Sequence, residues 1–169
     1  MANVSPQVKQ AINNSVKASN SKTANDKKGG SHEEGGVAWT KDGKQTIAPA
    51  EPGKAGDVTK PGKVEIDPFK AAAPSKQKPG DVQADVDWHV HPRALVETSS
   101  TNSTPGTVVF GGTTKTETSF FIQRPSPEDI QAASPAPTLN LVIGARDNTV
   151  YVYDSSGVTC QESLKDFNK

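Results

Sequence analysis

The sequence predicts a mixed α+β fold, a β-sheet carrying a few short helices, and three observations carry that prediction. Val82-Gln83-Ala84-Asp85-Val86-Asp87-Trp88-His89-Val90-His91-Pro92 alternates strictly between apolar and polar residues, the period of a strand. Two further runs, Leu139–Ile143 and Thr149–Tyr153, are rich in β-branched and aromatic residues around the turn signal Asp147-Asn148, which marks paired strands. Between these β segments, Ser126-Pro127-Glu128-Asp129 combines an N-cap serine, a proline at the first helical position and acidic residues in the first turn, so a short helix begins at Ser126.

Taken in order, residues 1–30 hold few large apolar groups and read as a flexible or peripheral arm. Within it Val4, Val8, Ile12 and Val16 recur every four residues behind Ser5-Pro6, which predicts an amphipathic helix from about Ser5 to Lys17, packed on the domain or on a partner. Residues 31–169 read as one domain. Gly35–Trp39, Asp42-Gly43 and Gln45–Ala48 form a strand, a tight turn and a strand. Residues 51–81 carry Pro52, Pro61, Pro68, Pro74 and Pro79 among several glycines, so a long surface loop is expected there, with Val64-Glu65-Ile66 as a short strand.

After the alternating strand, an insertion spans about 97–124. It opens with a Ser/Thr-rich stretch, Glu97 to Gly106, followed by two strands near Thr107–Gly111 and Thr116–Gln123 as a hairpin. The chain closes with a turn at Ser155-Ser156-Gly157 and a polar tail.

Composition narrows the function classes. An apolar fraction of 32% is below the ~45–50% typical of globular chains, so part of the chain is expected to lie outside the core. Lys and Arg total 19, against 19 Asp and Glu, which gives no bulk field for nucleic acid or an anionic membrane. No apolar run reaches the ~18–20 residues of a membrane span, and the polar N-terminus lacks the apolar core of a secretory signal. The expected location is therefore cytoplasmic, or outside the cell by a specialised secretion route. Cys160 is the single cysteine, which rules out an intrachain disulfide and a cysteine-based zinc finger; it reads as a half-buried residue near a strand end rather than a nucleophile.

The chemistry concentrates on the alternating strand. Asp85, Asp87, His89 and His91 share one face, and Val82, Ala84, Val86, Trp88 and Val90 the other. Only three histidines exist, His32, His89 and His91. That excludes the amidohydrolase barrel by length and the metallo-β-lactamase pattern, because Arg93 and Ala94 follow His91-Pro92. A cupin could use Glu97 but lacks the later histidine, so it survives only in degenerate form. Two imidazoles on one strand face and a carboxylate from a helix start make a three-ligand set that leaves a fourth, tetrahedral position open, as in catalytic zinc sites.

Glu33-Glu34-Gly35-Gly36-Val37, His89-Val90-His91-Pro92 and Ser126-Pro127-Glu128-Asp129, in that order, resemble the E-x-x-G, H-x-H-P and S-x-x-D signature of the JAMM (JAB/MPN) metalloproteases, in particular the bacterial JAB-like branch with toxin-type domains. The resemblance covers roughly residues 31–153. It implies a JAMM-like mixed sheet with short flanking helices and a zinc ion (Zn2+) held by His89, His91 and Asp129. Glu33 would be the general base and Ser126 the oxyanion donor. The implied activity is amide-bond hydrolysis, by a peptidase or isopeptidase acting on a protein or peptide, in some settings as an effector or toxin with an immunity or adaptor partner. The alternative on the same fold is a non-catalytic scaffold module.

The departure from the family is that Ser126 lies 35 positions after His91. Other residues compete for roles: Glu34 with Glu33 as the base, on the opposite strand face; Asp87 as a further ligand or as a partner orienting an imidazole, against a plain surface carboxylate; and His32, read as a loop histidine. Trp39 and Trp88 read as core.

Overall fold

A computed structural model describes residues 4–21, 32–53, 83–93, 95–101 and 114–169. The loop and short strand expected within 51–81 fall almost entirely outside the described residues, as does the strand near Thr107–Gly111. The described chain runs α1 (Pro6–Ser19), β1 (Glu34–Lys41), β2 (Lys44–Pro49), β3 (Val86–His91), β4 (Leu95–Thr101), β5 (Thr114–Phe120), α2 (Pro127–Ala132), β6 (Leu139–Gly144), β7 (Thr149–Asp154), β8 (Gly157–Ser163) and α3 (Leu164–Phe167). Six strands form one mixed sheet in the order β2-β1-β3-β6-β7-β8, and β4 and β5 form a separate two-stranded ribbon. This is the mixed α+β architecture expected from the sequence. Among the described residues, no helix is long and apolar enough to cross a membrane.

Local chemistry explains two of the junctions. Asp42 and Gly43 both take positive φ, 52° and 73°, the requirement of the type I′ turn that joins β1 to β2. Helix α1 starts where Ser5 accepts a hydrogen bond from the Val8 N–H at 3.3 Å, with Pro6 as its first residue. Far from lying at the periphery, it packs on β1 and β3. The four-residue spacing aligns Val4, Val8 and Ile12 on one face, and burying that face in the main core draws the described part of the arm onto the sheet.

Two other expectations change. The Ser/Thr-rich start of the insertion is strand β4, paired antiparallel with β5 from Leu95↔Phe120 to Thr101↔Thr114; threonine's β-branched backbone preference outweighs its polarity. The polar tail is β8 and α3, anchored by Phe167, which is 3% exposed. Cys160 lies exposed on β8, because an edge strand leaves one flank open.

The sheet register assigns every β3 residue to a face. Val90 pairs with Glu34 and Ile143, and Trp88 with Gly36 and Leu141. Directly opposed residues share a face, so Val86, Trp88 and Val90 join α1 in the core. Gly36 has a specific reason to be glycine: a Cβ there would stand 2.6 Å from Trp88 Cζ2 and 2.8 Å from the Ala48 carbonyl oxygen. The opposite face carries Asp87, His89 and His91, beneath α2.

Candidate metal centre

Three cross-strand rows build the site face. Val37, Asp87, Asn140 and Tyr153 form one; Gly35, His89, Val142 and Tyr151 the next; His91, Gly144 and Thr149 the third. Gly35 beside His89 places no side chain over that imidazole from the β1 side. Although this face is polar, β3 is buried along its whole length: His89 is 7% exposed and His91 5%.

Asp129 arrives from above on α2. Its N–H donates to Ser126 Oγ at 3.2 Å, and its Oδ2 accepts from the Ser126 N–H at 2.6 Å, a reciprocal capping box. The same carboxylate turns towards the histidines, with Oδ1 3.3 Å from His89 Nε2 and Oδ2 3.5 Å from His91 Nε2. The two Nε2 atoms are 3.2 Å apart. Tetrahedral coordination with bonds of about 2.0–2.1 Å places neighbouring ligand atoms about 3.3–3.4 Å apart; the two nitrogens meet that spacing, and each faces a different oxygen of the Asp129 carboxylate at 3.3 and 3.5 Å. The donor atoms of His89, His91 and Asp129 lie within 4.8 Å of one another, and this buried group can hold a metal ion. Two imidazole nitrogens and one carboxylate oxygen suit zinc and neighbouring first-row divalent ions.

The long insertion leaves this geometry intact because its two ends meet. Gln123, just before α2, is 7% exposed. Its Nε2 donates to the Pro92 carbonyl at 3.1 Å and the Phe121 carbonyl at 3.0 Å, while its Oε1 accepts from the Arg146 N–H at 2.7 Å. The chain therefore departs beside His91 and returns to the same place.

Glu33 and Glu34 separate as alternation requires. Glu33 Oε1 is 3.9 Å from His91 Nε2, outside the tight ligand set but beside it. Glu34 is the Cα partner of Val90, on the α1 side, where its Oε1 lies 2.7 Å from His32 Nε2. His32 does precede β1 outside any strand, but at 2% exposure it is buried there rather than a flexible-loop histidine. Asp87 is no surface carboxylate either. It is 9% exposed, accepts a hydrogen bond from Ser134 Oγ at 2.9 Å and stays outside the three-residue group. Ser134, Asn140 and Gln123 were not expected at the site. Only Asn140 left a trace in the sequence, as a lone polar residue within the apolar run Leu139–Ile143.

The charges are coupled. Burial opposes the charged form of His89, but its hydrogen bond to Asp129 and the charges of Asp129, Glu33 and Asp87 prevail and raise its pKa above the ordinary histidine value. Burial likewise opposes the charge on Asp129, yet bonds to His89 and His91 and to the Ser126 backbone hold its carboxyl far below the usual range. Burial raises the pKa of Asp87, against the Ser134 bond and the His89 charge. Burial first, then Asp87 and Asp129, keep the Tyr153 phenol protonated well past the normal range.

A pH signature follows for the metal-free protein. The lowered Asp129 contributes stability present above its unfolded pKa of ~3.9 and lost as pH falls towards its folded value. The raised His89 contributes stability present below its unfolded pKa of ~6.5 and lost as pH rises through its folded value. With chelator present, the melting-temperature gap between wild type and Asp129→Asn should therefore be widest between about pH 4 and 6.5 and shrink above it. A gap that stays constant from acid to alkaline pH would rule out the His89–Asp129 pair.

Compared with known proteins, the chain matches no protein-family model, no curated protein and no solved structure.

Proposed function

We propose that the protein is a JAMM-like zinc-dependent peptidase or isopeptidase. The observation that carries this reading is the convergence of His89, His91 and Asp129, whose ligand atoms lie within 4.8 Å of one another, with Glu33 3.9 Å from His91. A bound zinc ion would supply Lewis acidity, bringing the pKa of a water towards ~7 and polarising an amide carbonyl.

The chain's own groups have complementary parts. Asp129, whose carboxyl is held low by its bonds to the two histidines and to the Ser126 backbone, is the anionic member of the donor set. Glu33 stands beside the ligand set without belonging to it, where it would take the proton of an attacking water and pass it to the departing amine. Ser126 Oγ accepts from the Asp129 N–H, so its own hydrogen is free of that bond and available to donate to the oxyanion of a tetrahedral intermediate. The implied substrate is a peptide or protein.

The test is to incubate the zinc-loaded chain with linear peptides, isopeptide-linked conjugates and peptidoglycan peptides, with and without chelator, and read the products by mass spectrometry. Cleavage that chelator stops and added zinc restores is expected. Stoichiometric zinc with no cleavage across the panel would replace the enzyme with a metal-binding scaffold.

A further inference from the structure

Helix α2 has only six residues, and none of them is buried. Isolated helices of this length do not persist, and its apolar seat is modest: Ile130 and the following Ala133 rest, partly buried, on Val142, Tyr151 and Tyr153. Yet Asp129 on this helix must meet two imidazoles to within a few tenths of an ångström. The capping box fixes the start of the helix to itself, not to the sheet.

The far end is tied down by polar bonds. Asp87 and Asn140 are cross-strand partners on the site face, and Asn140 is 2% exposed. Ser134, just past α2, bonds to both with every polar group it has. Its N–H donates to Asn140 Oδ1 at 2.8 Å, its carbonyl accepts from Asn140 Nδ2 at 3.0 Å, and its hydroxyl donates to Asp87 Oδ2 at 2.9 Å. The hydroxyl bond is made to a buried carboxylate, which leaves Asp87 with a partner it would be costly to lose. Asp87 is also two residues from His89 on the same strand face, so one clasp ties the helix carrying Asp129 to the strand carrying the histidines.

We propose that Ser134, held by Asp87 and Asn140, is a positioning residue that seats α2 on the sheet and thereby holds Asp129 against His89 and His91. The inference rests on these three residues binding a metal. Groups bonded directly to a metal ligand typically contribute ~10–100-fold in affinity; Ser134 acts one step further out, through the seat of α2, so the clasp is expected at the lower end, about 10-fold.

The test uses the full chain as wild type, Ser134→Ala and Ser134→Thr. Zinc and cobalt(II) affinity, the cobalt visible spectrum and amide exchange across 127–132 in the metal-free protein are measured. Ser134→Ala should weaken metal binding by about 10-fold, change the cobalt spectrum and speed exchange across α2, and Ser134→Thr, which keeps the hydroxyl, should restore all three. Unchanged affinity and spectrum in Ser134→Ala, or failure of threonine to rescue, would overturn the clasp. If wild type takes up neither metal, the metal reading falls by itself. Exchange then decides the clasp alone: faster in Ser134→Ala supports it, and unchanged rejects it.

Discussion

His91→Ala is expected to lose stoichiometric zinc, while Glu33→Gln keeps it and loses hydrolysis. The difference follows from distance. His91 Nε2 is 3.2 Å from His89 Nε2 and 3.5 Å from Asp129 Oδ2, so removing it deletes one of three donors. Its loss should cost more than the ~10–100-fold attached to an outer partner. Glu33 Oε1, at 3.9 Å from His91, is outside that set, and glutamine preserves its size while removing its capacity to accept a proton. Asp129→Asn should fall between, because its amide oxygen can still accept from the Ser126 N–H and keep the helix start while the anionic ligand is gone. Metal content by elemental analysis, beside product formation, checks all three. Should Glu33→Gln lose zinc as completely as His91→Ala, Glu33 would be a ligand and the assignment of a base would fail.

How much of this could be read from the residues varies with the range of the force involved. Alternation in β3 is local, and it separated Trp88 from His89 correctly, as it separated Glu33 from Glu34. The Asp-Gly turn after β1 and the Ser-Pro helix starts are equally local, and the structure keeps them. Burial of the polar face is not local. Asp87 looks solvated in the sequence because its partners, Ser134 and Asn140, lie far along the chain, and no spacing rule joins them. Val4, Val8 and Ile12 gave a helix but not its destination, which depends on the apolar surface offered by Trp88, Val90 and Ile143. The closure of the insertion by Gln123 is of the same long-range kind. Residues 97–101 misled through polarity, since serine and threonine suit loops by composition and edge strands by backbone.

Trp88→Ala should lower the unfolding free energy by about 3–5 kcal/mol, the range for truncating a buried large aromatic residue. Trp88 is 1% exposed, its ring occupies the space that Gly36 leaves open, and its indole N–H donates to Ser15 Oγ on α1 at 3.1 Å. Truncation would open the core that Trp88 shares with Val8 and Ile12 and remove the indole donor from Ser15 Oγ. Trp88→Phe should cost less, about 1–3 kcal/mol, chiefly the unsatisfied polar group. Urea unfolding followed by far-ultraviolet circular dichroism gives both values, and a loss below 1 kcal/mol for alanine would mean that α1 is not seated on the sheet. Domains of this size are stable by only ~5–15 kcal/mol, so the alanine variant would forfeit a large share of the total. That share bears directly on the candidate metal centre. Trp88 and His89 are consecutive residues with opposite faces, so the strand that packs on α1 is also the strand that presents the histidines. Saturating zinc, which binds the folded form, should therefore recover part of the lost stability in Trp88→Ala and recover nothing in the double variant Trp88→Ala/His91→Ala.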